Sequence, residues 1–229
     1  MKPQPLHERP WKGLLWSVLE DAGVMFTDTG LTVIPYRGRD GAVHNRRIVA
    51  PSGRCWWETS GLGLIPMGLE TIPANTTDWA LLICEGESDT LACREAFAGT
   101  AGGHHLRGFV VLGCPGSTCW QPKWREHVEG FDLIYPVGDG DEPGRAFAWS
   151  VQASVPWARP VRLPDGADAR AILQAEGPRA LDSYLVEADR DAVLKAAFWH
   201  ADSVDEFCEL VRQPAFGLLE SPVADRRVA

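Results

Sequence analysis

Short, continuous hydrophobic runs alternate with segments of helical composition between residues 79 and 176. Four of these runs predict strands buried on both faces, since they lack the polar alternation of a half-exposed strand: WALLIC, GFVVLGC, FDLIYPV and ARPVRLP. The segments between them predict helices: SDTLACREAFAG, PKWREHVEG and EPGRAFAWSVQAS. Strands that alternate with helices form βαβ units, so we predict an α/β domain built around a parallel sheet.

Different patterns flank this domain on both sides. The first 30 residues contain a short helical pattern, GLLWSVLEDAG, with a stop signal at Gly23. Strand-like runs follow, separated by turn signals at Arg39-Asp40-Gly41 and Pro51-Ser52-Gly53. The C-terminal region has helical patterns, with a capping box from Ser203 to Glu206. We therefore predict three parts: an N-terminal α+β subdomain over residues 1–78, the α/β domain over 79–176 and a helical extension over 177–229.

Composition narrows the class of protein. Hydrophobic residues make up 45% of the chain and charged residues 23%, as in soluble globular proteins. No apolar run approaches the ~18 residues of a membrane span, and the N-terminus lacks a signal-peptide pattern. The six cysteines form no CxxC pair, so we expect a reducing cytoplasm and no disulfide framework. A zinc site from Cys114 and Cys119 with His104 or His105 is the weaker alternative, and no zinc is expected.

The charge is unevenly distributed along the chain. The net charge of −9 argues against a protein that coats DNA through a general basic surface. Residues 31–60 nevertheless contain five arginines against Asp40 and Glu58, a local balance of +3. This separation of positive from negative residues along the chain is consistent with a basic surface track that lies beside an acidic site.

Acidic residues follow three of the four predicted strands. Glu85 comes directly after LLIC, Asp139 and Asp141 follow LIYPV, and Asp165 and Asp168 follow VRL. The carboxyl ends of parallel strands share one edge of the sheet, so these carboxylates are predicted to gather there. Clustered carboxylates repel one another unless a cation lies among them, and Mg²⁺ prefers such oxygen ligands. The alternative is that acids follow strands because loops are polar.

These same residues resemble the sequence blocks of the TOPRIM module of primases, topoisomerases and related nucleases. LLICEGESDTLACREA resembles the first block and LIYPVGDGDEPGRAFA the second, while VRLPDGADARAIL is similar to the third block of primases. Upstream, VIPYRGRDGAVHNRRIV resembles the segment that precedes TOPRIM in bacterial DnaG-type primases and phage primase-helicases. VVLGCPGS resembles a turn of the same enzymes. The resemblance covers roughly residues 31–176.

The resemblance implies a fold, an activity and roles for individual residues. It implies a Rossmann-like TOPRIM parallel sheet with flanking helices, and a DNA primase core that makes short RNA primers from NTPs on single-stranded DNA with Mg²⁺ or Mn²⁺. Glu85 would be catalytic or metal-organising, and Asp139 and Asp141 would hold the metal. The supporting acids would be Asp89, Asp165 and Asp168, and the nucleic-acid or nucleotide track would contain Arg37, Arg46, Arg47 and Arg54. A TOPRIM nuclease and a non-enzymatic binding descendant remain as alternatives.

Two departures from the primase pattern affect the expected partners. The sequence contains no CxxC pair for a zinc-binding module and no GxxxxGK[ST] motif for a helicase motor. We therefore expect a helicase, or a separate protein that supplies template recognition, as a partner.

Trp56 and Trp57 lie in a strand-like stretch, where neighbouring side chains face opposite sides. One of them is a candidate for base stacking, and the alternative is a core or interface position.

Overall fold

The computed structural model describes residues 11–97 and 108–200, together with Ser203 and residues 208–210. Its N-terminal part forms an antiparallel sheet in which each strand pairs with the next in sequence. The strands are β1 (Met25–Phe26), β2 (Thr32–Arg37), β3 (Val43–Val49) and β4 (Cys55–Trp57). Both predicted turn signals connect strands of this sheet. The predicted first helix is α1 (Trp16–Asp21), and Gly23 follows it with a φ of 70°.

A second, parallel sheet forms the centre of the molecule. Its strands are β5 (Trp79–Cys84), β6 (Gly108–Gly113) and β7 (Leu133–Val137), in the order β6-β5-β7. Three of the four predicted strands are therefore confirmed. The prediction of the fourth, ARPVRLP, is wrong as a full strand, since only Val161 forms a parallel bridge, to Val137. Pro160 and Pro164 bracket Val161, and proline has no amide hydrogen to donate to a sheet ladder.

Helices connect and cover the parallel sheet. They are α2 (Glu87–Phe97), α3 (Arg125–Val128), α4 (Glu142–Ser154), α5 (Ala169–Glu176) and α6 (Pro178–His200). The prediction for EPGRAFAWSVQAS matches α4 residue for residue. PKWREHVEG forms a short 3₁₀ turn followed by the four residues of α3. α5 was not predicted as a helix, because its first residues belong to the proline-bearing third block, VRLPDGADARAIL.

The two faces of the parallel sheet are buried under different helices. Leu81 and Ile83 of β5 pack with Phe147 and Val151 of α4. Alternate residues of the same strand belong to a second cluster that includes residues of α2, α5 and α6: Ala80, Leu82 and Cys84. The sheet is thus the middle layer of three, as its continuous hydrophobic strands predicted.

A third apolar cluster joins the antiparallel sheet to the α/β domain. Ile34 and Tyr36 of β2 pack with Leu19 of α1 and with Leu91 and Ala92 of α2. Helix α2 therefore contacts both sheets. The capping box from Ser203 to Glu206 lies largely outside the described residues. No helix of the described part of the chain is long and apolar enough to cross a membrane.

Candidate active site at the carboxyl edge of the parallel sheet

Glu85 and Asp139 meet where two neighbouring strands end. Glu85 follows β5, and its amide donates to the carbonyl of Val137, the last residue of β7 (3.2 Å). The amide of Asp139 donates in return to Oε2 of Glu85 (3.1 Å). The parallel pairing of β5 with β7 therefore fixes the two acidic residues side by side, as the sequence predicted.

The glycines around Asp139 permit a tight turn between β7 and α4. A Cβ atom on Gly138 would overlap the backbone of Gly144, and one on Gly140 would overlap the carbonyl of Pro164. The amide of Gly140 donates to the carbonyl of Ala167 (2.7 Å). The Gly-Asp-Gly-Asp segment is thus pressed against both the start of α4 and the loop that leads to α5.

Asp141 and Asp168 each cap a helix. Oδ1 of Asp141 accepts a hydrogen bond from the amide of Gly144 (2.8 Å) at the start of α4. Oδ1 of Asp168 accepts from the amide of Ala171 at the start of α5. A carboxylate at this position satisfies an unpaired amide and is stabilised by the helix dipole. Each of these two carboxylates therefore uses one of its oxygens to stabilise the start of a helix.

The acidic side chains at this edge perturb one another. The pKa of Asp139 is raised to about 7, first by burial and then by the negative charges of Glu85, Asp89, Asp168 and Asp141, in that order. The pKa of Glu85 is raised by burial and by Asp141 and Asp89, and the amide of Asp139 opposes this shift. Five of the six predicted acids therefore form one electrostatic cluster.

Asp89 lies deeper than the other acids. It is buried on α2, and burial raises its pKa, while the backbone amide of Arg170 opposes the rise. That amide donates to Oδ1 of Asp89 (3.0 Å), and the Arg170 guanidinium donates to Oδ2 of Asp168 (3.0 Å). Arg170 thus connects both supporting acids. Sequence reasoning missed Arg170, although its place two residues after Asp168 was a usable signal.

Asp165 lies apart, on the rim. Its side chain is 99% exposed, and its nearest charged partner is Arg145 on α4, at 3.4 Å. Within residues 11–97 and 108–200, no three Asp, Glu, His or Cys side chains already converge as ligands of one ion. The suitability of this edge for a cation therefore depends on its oxygen donors and its accumulated negative charge.

Arg47 occupies the junction between the two sheets. Its Nε lies 3.6 Å from Oε1 of Glu87, and its Nη1 donates to the carbonyl of Pro115 after β6 (3.2 Å). The buried hydroxyl of Tyr36 donates to the same Glu87 oxygen (2.7 Å). Sequence reasoning missed Tyr36 and Glu87; the place of Glu87 two residues after Glu85, within the first motif, was the available signal.

The other predicted arginines remain at the surface of the antiparallel sheet. Arg46 pairs with Glu58 (2.7 Å), and Arg37 donates to the carbonyl of Gly41 (3.0 Å). The guanidinium of Arg54 lies over the ring of Trp56, 6.0 Å from its centroid.

The proposed zinc ligands His104 and His105 lie outside the described residues, while Cys114 is fully buried.

No protein-family model matches the chain. The Gene 57 protein of Mycobacterium phage D29 is 34% identical over 101 residues, which are 44% of this chain and 59% of that protein. The chain thus spans less than two thirds of the length of this relative.

Solved structures share the fold at low sequence identity. The primase fragment of the bacteriophage T7 primase-helicase aligns with a TM-score of 0.64 and 18% identity, over 76% of this chain and 72% of that one. The E. coli primase catalytic core aligns with a TM-score of 0.53 and 17% identity, over 90% and 70%. The chain therefore has the α/β fold of TOPRIM-type primase catalytic cores, as its motifs predicted.

Proposed function

We propose that this chain is a DNA primase catalytic core that joins ribonucleotides on a single-stranded DNA template. The observation that carries the proposal is the pairing of Glu85 with Asp139, beside Asp141, at the carboxyl edge of the parallel sheet. The fold supports this activity because it is the fold of primase cores. Arg46 and Arg47 of β3 and Arg54, which precedes β4, supply the complementary charge for template and nucleotides.

The donor chemistry of this edge fits a divalent cation such as Mg²⁺ or Mn²⁺. Its ligands would come from Glu85, Asp139 and Asp141, all of which offer the carboxylate oxygens that such hard ions prefer. The pKa of Asp139 is raised by burial and by neighbouring negative charges, and a bound cation would offset those charges. When bound, the cation would neutralise triphosphate charge and stabilise the charge that develops during transfer.

The protein groups have separate tasks in this proposal. Glu85 fixes the backbone of Asp139 by accepting its amide hydrogen bond, so the two carboxylates are held together before substrate binds. Asp141 holds the start of α4 against the same turn. Asp89 and Asp168, held by Arg170, keep α5 against α2 behind the cluster. Such fixed placement of reacting groups is a main source of catalysis in phosphoryl transfer.

The partners we propose follow from this activity. Single-stranded DNA and NTPs would be substrates, and a helicase or a separate template-recognition protein would act with the chain. The T7 relative is named as a fragment of a primase-helicase, which supports a helicase partner.

Primer synthesis from labelled NTPs on single-stranded DNA, with Mg²⁺ or Mn²⁺, tests the proposal. We expect Asp139→Asn and Asp141→Asn to lower the incorporation rate by about 10²-fold or more, as removal of a group that stabilises developing charge does. Asp132→Asn is the matched control, because Asp132 is exposed and precedes β7, at the opposite end of that strand.

Two outcomes would contradict the proposal. If Asp139→Asn and Asp141→Asn make primers as fast as Asp132→Asn, the site assignment is wrong. If the parent protein cleaves DNA or RNA in the presence of metal but incorporates no NTP, the site belongs to a nuclease.

A further inference from the structure

Two exposed aromatic side chains contact each other at the β1 edge of the antiparallel sheet. Trp16 of α1 is 43% exposed and Phe26 of β1 is 36% exposed, and their ring centroids lie 5.5 Å apart in an edge-to-face arrangement. Met25, the other residue of β1, is 50% exposed. These three residues are called the aromatic patch below.

The packing of the subdomain does not account for the aromatic patch. The apolar cluster that joins the two sheets contains other residues of α1 and β2, among them Leu19, Ile34 and Tyr36, and none of the three patch residues. Large aromatic side chains contribute most to stability when they are buried, and exposure forfeits much of that contribution. Clustered exposed apolar side chains in a soluble protein mark surfaces at which other molecules bind.

The aromatic patch can be reached from both faces of the sheet. In the described part of the chain β1 is an edge strand that pairs with β2 alone. Met25 and Phe26 are consecutive residues of this strand, so their side chains project from opposite faces. Trp16 contacts Phe26 on one of these faces. The patch therefore extends around an edge of the sheet.

Exposed acidic residues flank the aromatic patch. Glu20 lies one helical turn after Trp16 on α1, Asp21 is the next residue, and Asp28 lies in the turn that follows β1. None of these three carboxylates forms an ion pair with another residue that the structure describes. Their negative charge is therefore available to a positively charged ligand.

The charge at this edge is opposite to that of the strands across the sheet. Residues 11–36 contain the three acids and Lys12, a balance of −2, whereas residues 37–57 contain five arginines and Asp40, a balance of +4. A negative edge repels nucleic acid, because every phosphate carries a negative charge. A protein ligand with basic side chains is therefore favoured over nucleic acid at the aromatic patch.

We propose that the aromatic patch binds a segment of a partner protein that combines apolar side chains with Lys or Arg. The apolar side chains pack on Trp16 and Phe26, and the basic side chains pair with Glu20, Asp21 and Asp28. Trp, Phe and Met are enriched in protein–protein interfaces, while charges around them select the partner and steer its association. An amphipathic helix with one apolar and one basic face is the simplest segment of this kind.

The aromatic patch is separate from the basic strands of the same subdomain. β1 and β4 are the two edges of the four-stranded sheet. Neighbouring strands lie about 4.8 Å apart, so the two edges are separated by roughly 14 Å. A partner can therefore occupy the β1 edge without covering β4. The proposal goes beyond the proposed function and does not depend on it, since partner binding can be measured without primer synthesis.

Fluorescence anisotropy of a labelled helical peptide of leucine and lysine, with the leucines on one face, tests the proposal on the full chain. We expect Trp16→Ala to weaken binding about tenfold, as truncation of an interface tryptophan does, and Trp16→Phe to retain most of the affinity. Glu20→Gln and Asp28→Asn should weaken binding and reduce its dependence on salt. Trp149→Ala is the matched control, because Trp149 is 60% exposed but lies on α4. A peptide with glutamate in place of lysine should bind more weakly to the parent.

Loss of affinity in Trp16→Ala, with Trp149→Ala unchanged and similar melting temperatures, supports the proposal. If Trp16→Ala lowers the melting temperature, the two charge variants decide in its place. Parent-like binding by Trp16→Ala overturns the proposal, and so does an equal loss in Trp149→Ala or equal binding of the leucine–glutamate peptide.

Two further measurements separate a partner protein from other occupants of the aromatic patch. If labelled oligo-dT loses as much affinity in Trp16→Ala as the peptide does, the patch binds nucleic acid and the proposal is wrong. If sedimentation shows a dimer of the parent that Trp16→Ala abolishes, the occupant is a second copy of the chain, which also overturns the proposal. A monomeric parent with unchanged oligo-dT binding in Trp16→Ala supports the proposal.

Discussion

The amide of Asp139 donates a 3.1 Å hydrogen bond to the carboxylate of Glu85, which joins the ends of two neighbouring parallel strands. This bond brings two acidic groups together in a partly buried place, where burial and the negative charges of neighbouring carboxylates raise the pKa of both. The fold thus maintains an electrostatically unfavourable arrangement, as functional sites commonly do.

The first prediction concerns pH and stability. The pKa of Asp139 is about 7 in the folded protein and about 3.9 in an unfolded chain. Between these values the folded state binds more protons at Asp139, so the contribution of Asp139 to stability falls as pH rises from about 4 to about 7. Asp139→Asn removes this ionisation, and its free energy of unfolding relative to the parent should rise across that interval and stay constant above it.

Urea unfolding in EDTA at pH 5, 6, 7 and 8 measures this effect. Asp132→Asn, at the other end of β7, should show a pH-independent difference from the parent. A constant difference between Asp139→Asn and the parent over the same range would mean that Asp139 does not titrate near neutrality.

The second prediction concerns the junction between the two sheets. Tyr36→Phe removes the hydroxyl that donates to Glu87 and leaves the buried ring in place. Loss of a hydrogen bond to a charged acceptor should reduce the free energy of unfolding by about 1.5–3 kcal/mol. In the Glu87→Gln background the same substitution should cost less, because the charged acceptor is gone. Equal costs in both backgrounds, by chemical denaturation, would show that the two residues are not coupled.

The third prediction concerns the glycines of the second motif. A Cβ on Gly140 would overlap the carbonyl of Pro164. The atoms that it would meet belong to the backbone, so no side-chain movement can remove the overlap. Gly140→Ala should therefore displace Asp139 and Asp141 and abolish primer synthesis, with a lower melting temperature. Gly63→Ala is the control, since a Cβ at Gly63 meets no atom within 4 Å. Parent-like primer synthesis by Gly140→Ala would show that the turn tolerates the shift.

The fourth prediction concerns Arg170, which holds two supporting acids. Its guanidinium contacts Asp168, while its backbone amide contacts Asp89. Arg170→Gln should remove the first contact and keep the second, so α5 should remain folded while the negative potential at the cluster increases. We expect the pH midpoint of primer synthesis to shift upward relative to the parent. An unchanged pH profile would mean that Arg170 acts only in packing.

Much of this architecture was predictable because its signals are local. Glu85, Asp139 and Asp141 were placed correctly at strand ends, since a buried strand and the acid after it are adjacent in sequence. The fourth strand was overestimated because hydrophobicity alone ignored Pro160 and Pro164. The role of Arg47 could not be predicted, because it depends on Glu87, 40 positions away, and on Pro115 beyond β6. The alternation of side chains along a strand predicted that Trp56 and Trp57 would face opposite sides of the sheet, but it did not predict which of them would be exposed.

Anomalous diffraction from crystals grown with Mn²⁺ and a nucleotide tests the central claim most directly. A manganese peak bounded by carboxylate oxygens of Asp139 and Asp141, beside Glu85, is the predicted result, and it should be absent from crystals of Asp139→Asn. A well-ordered structure with bound nucleotide and no manganese peak at this edge would contradict the assignment of these three residues to metal-dependent nucleotidyl transfer.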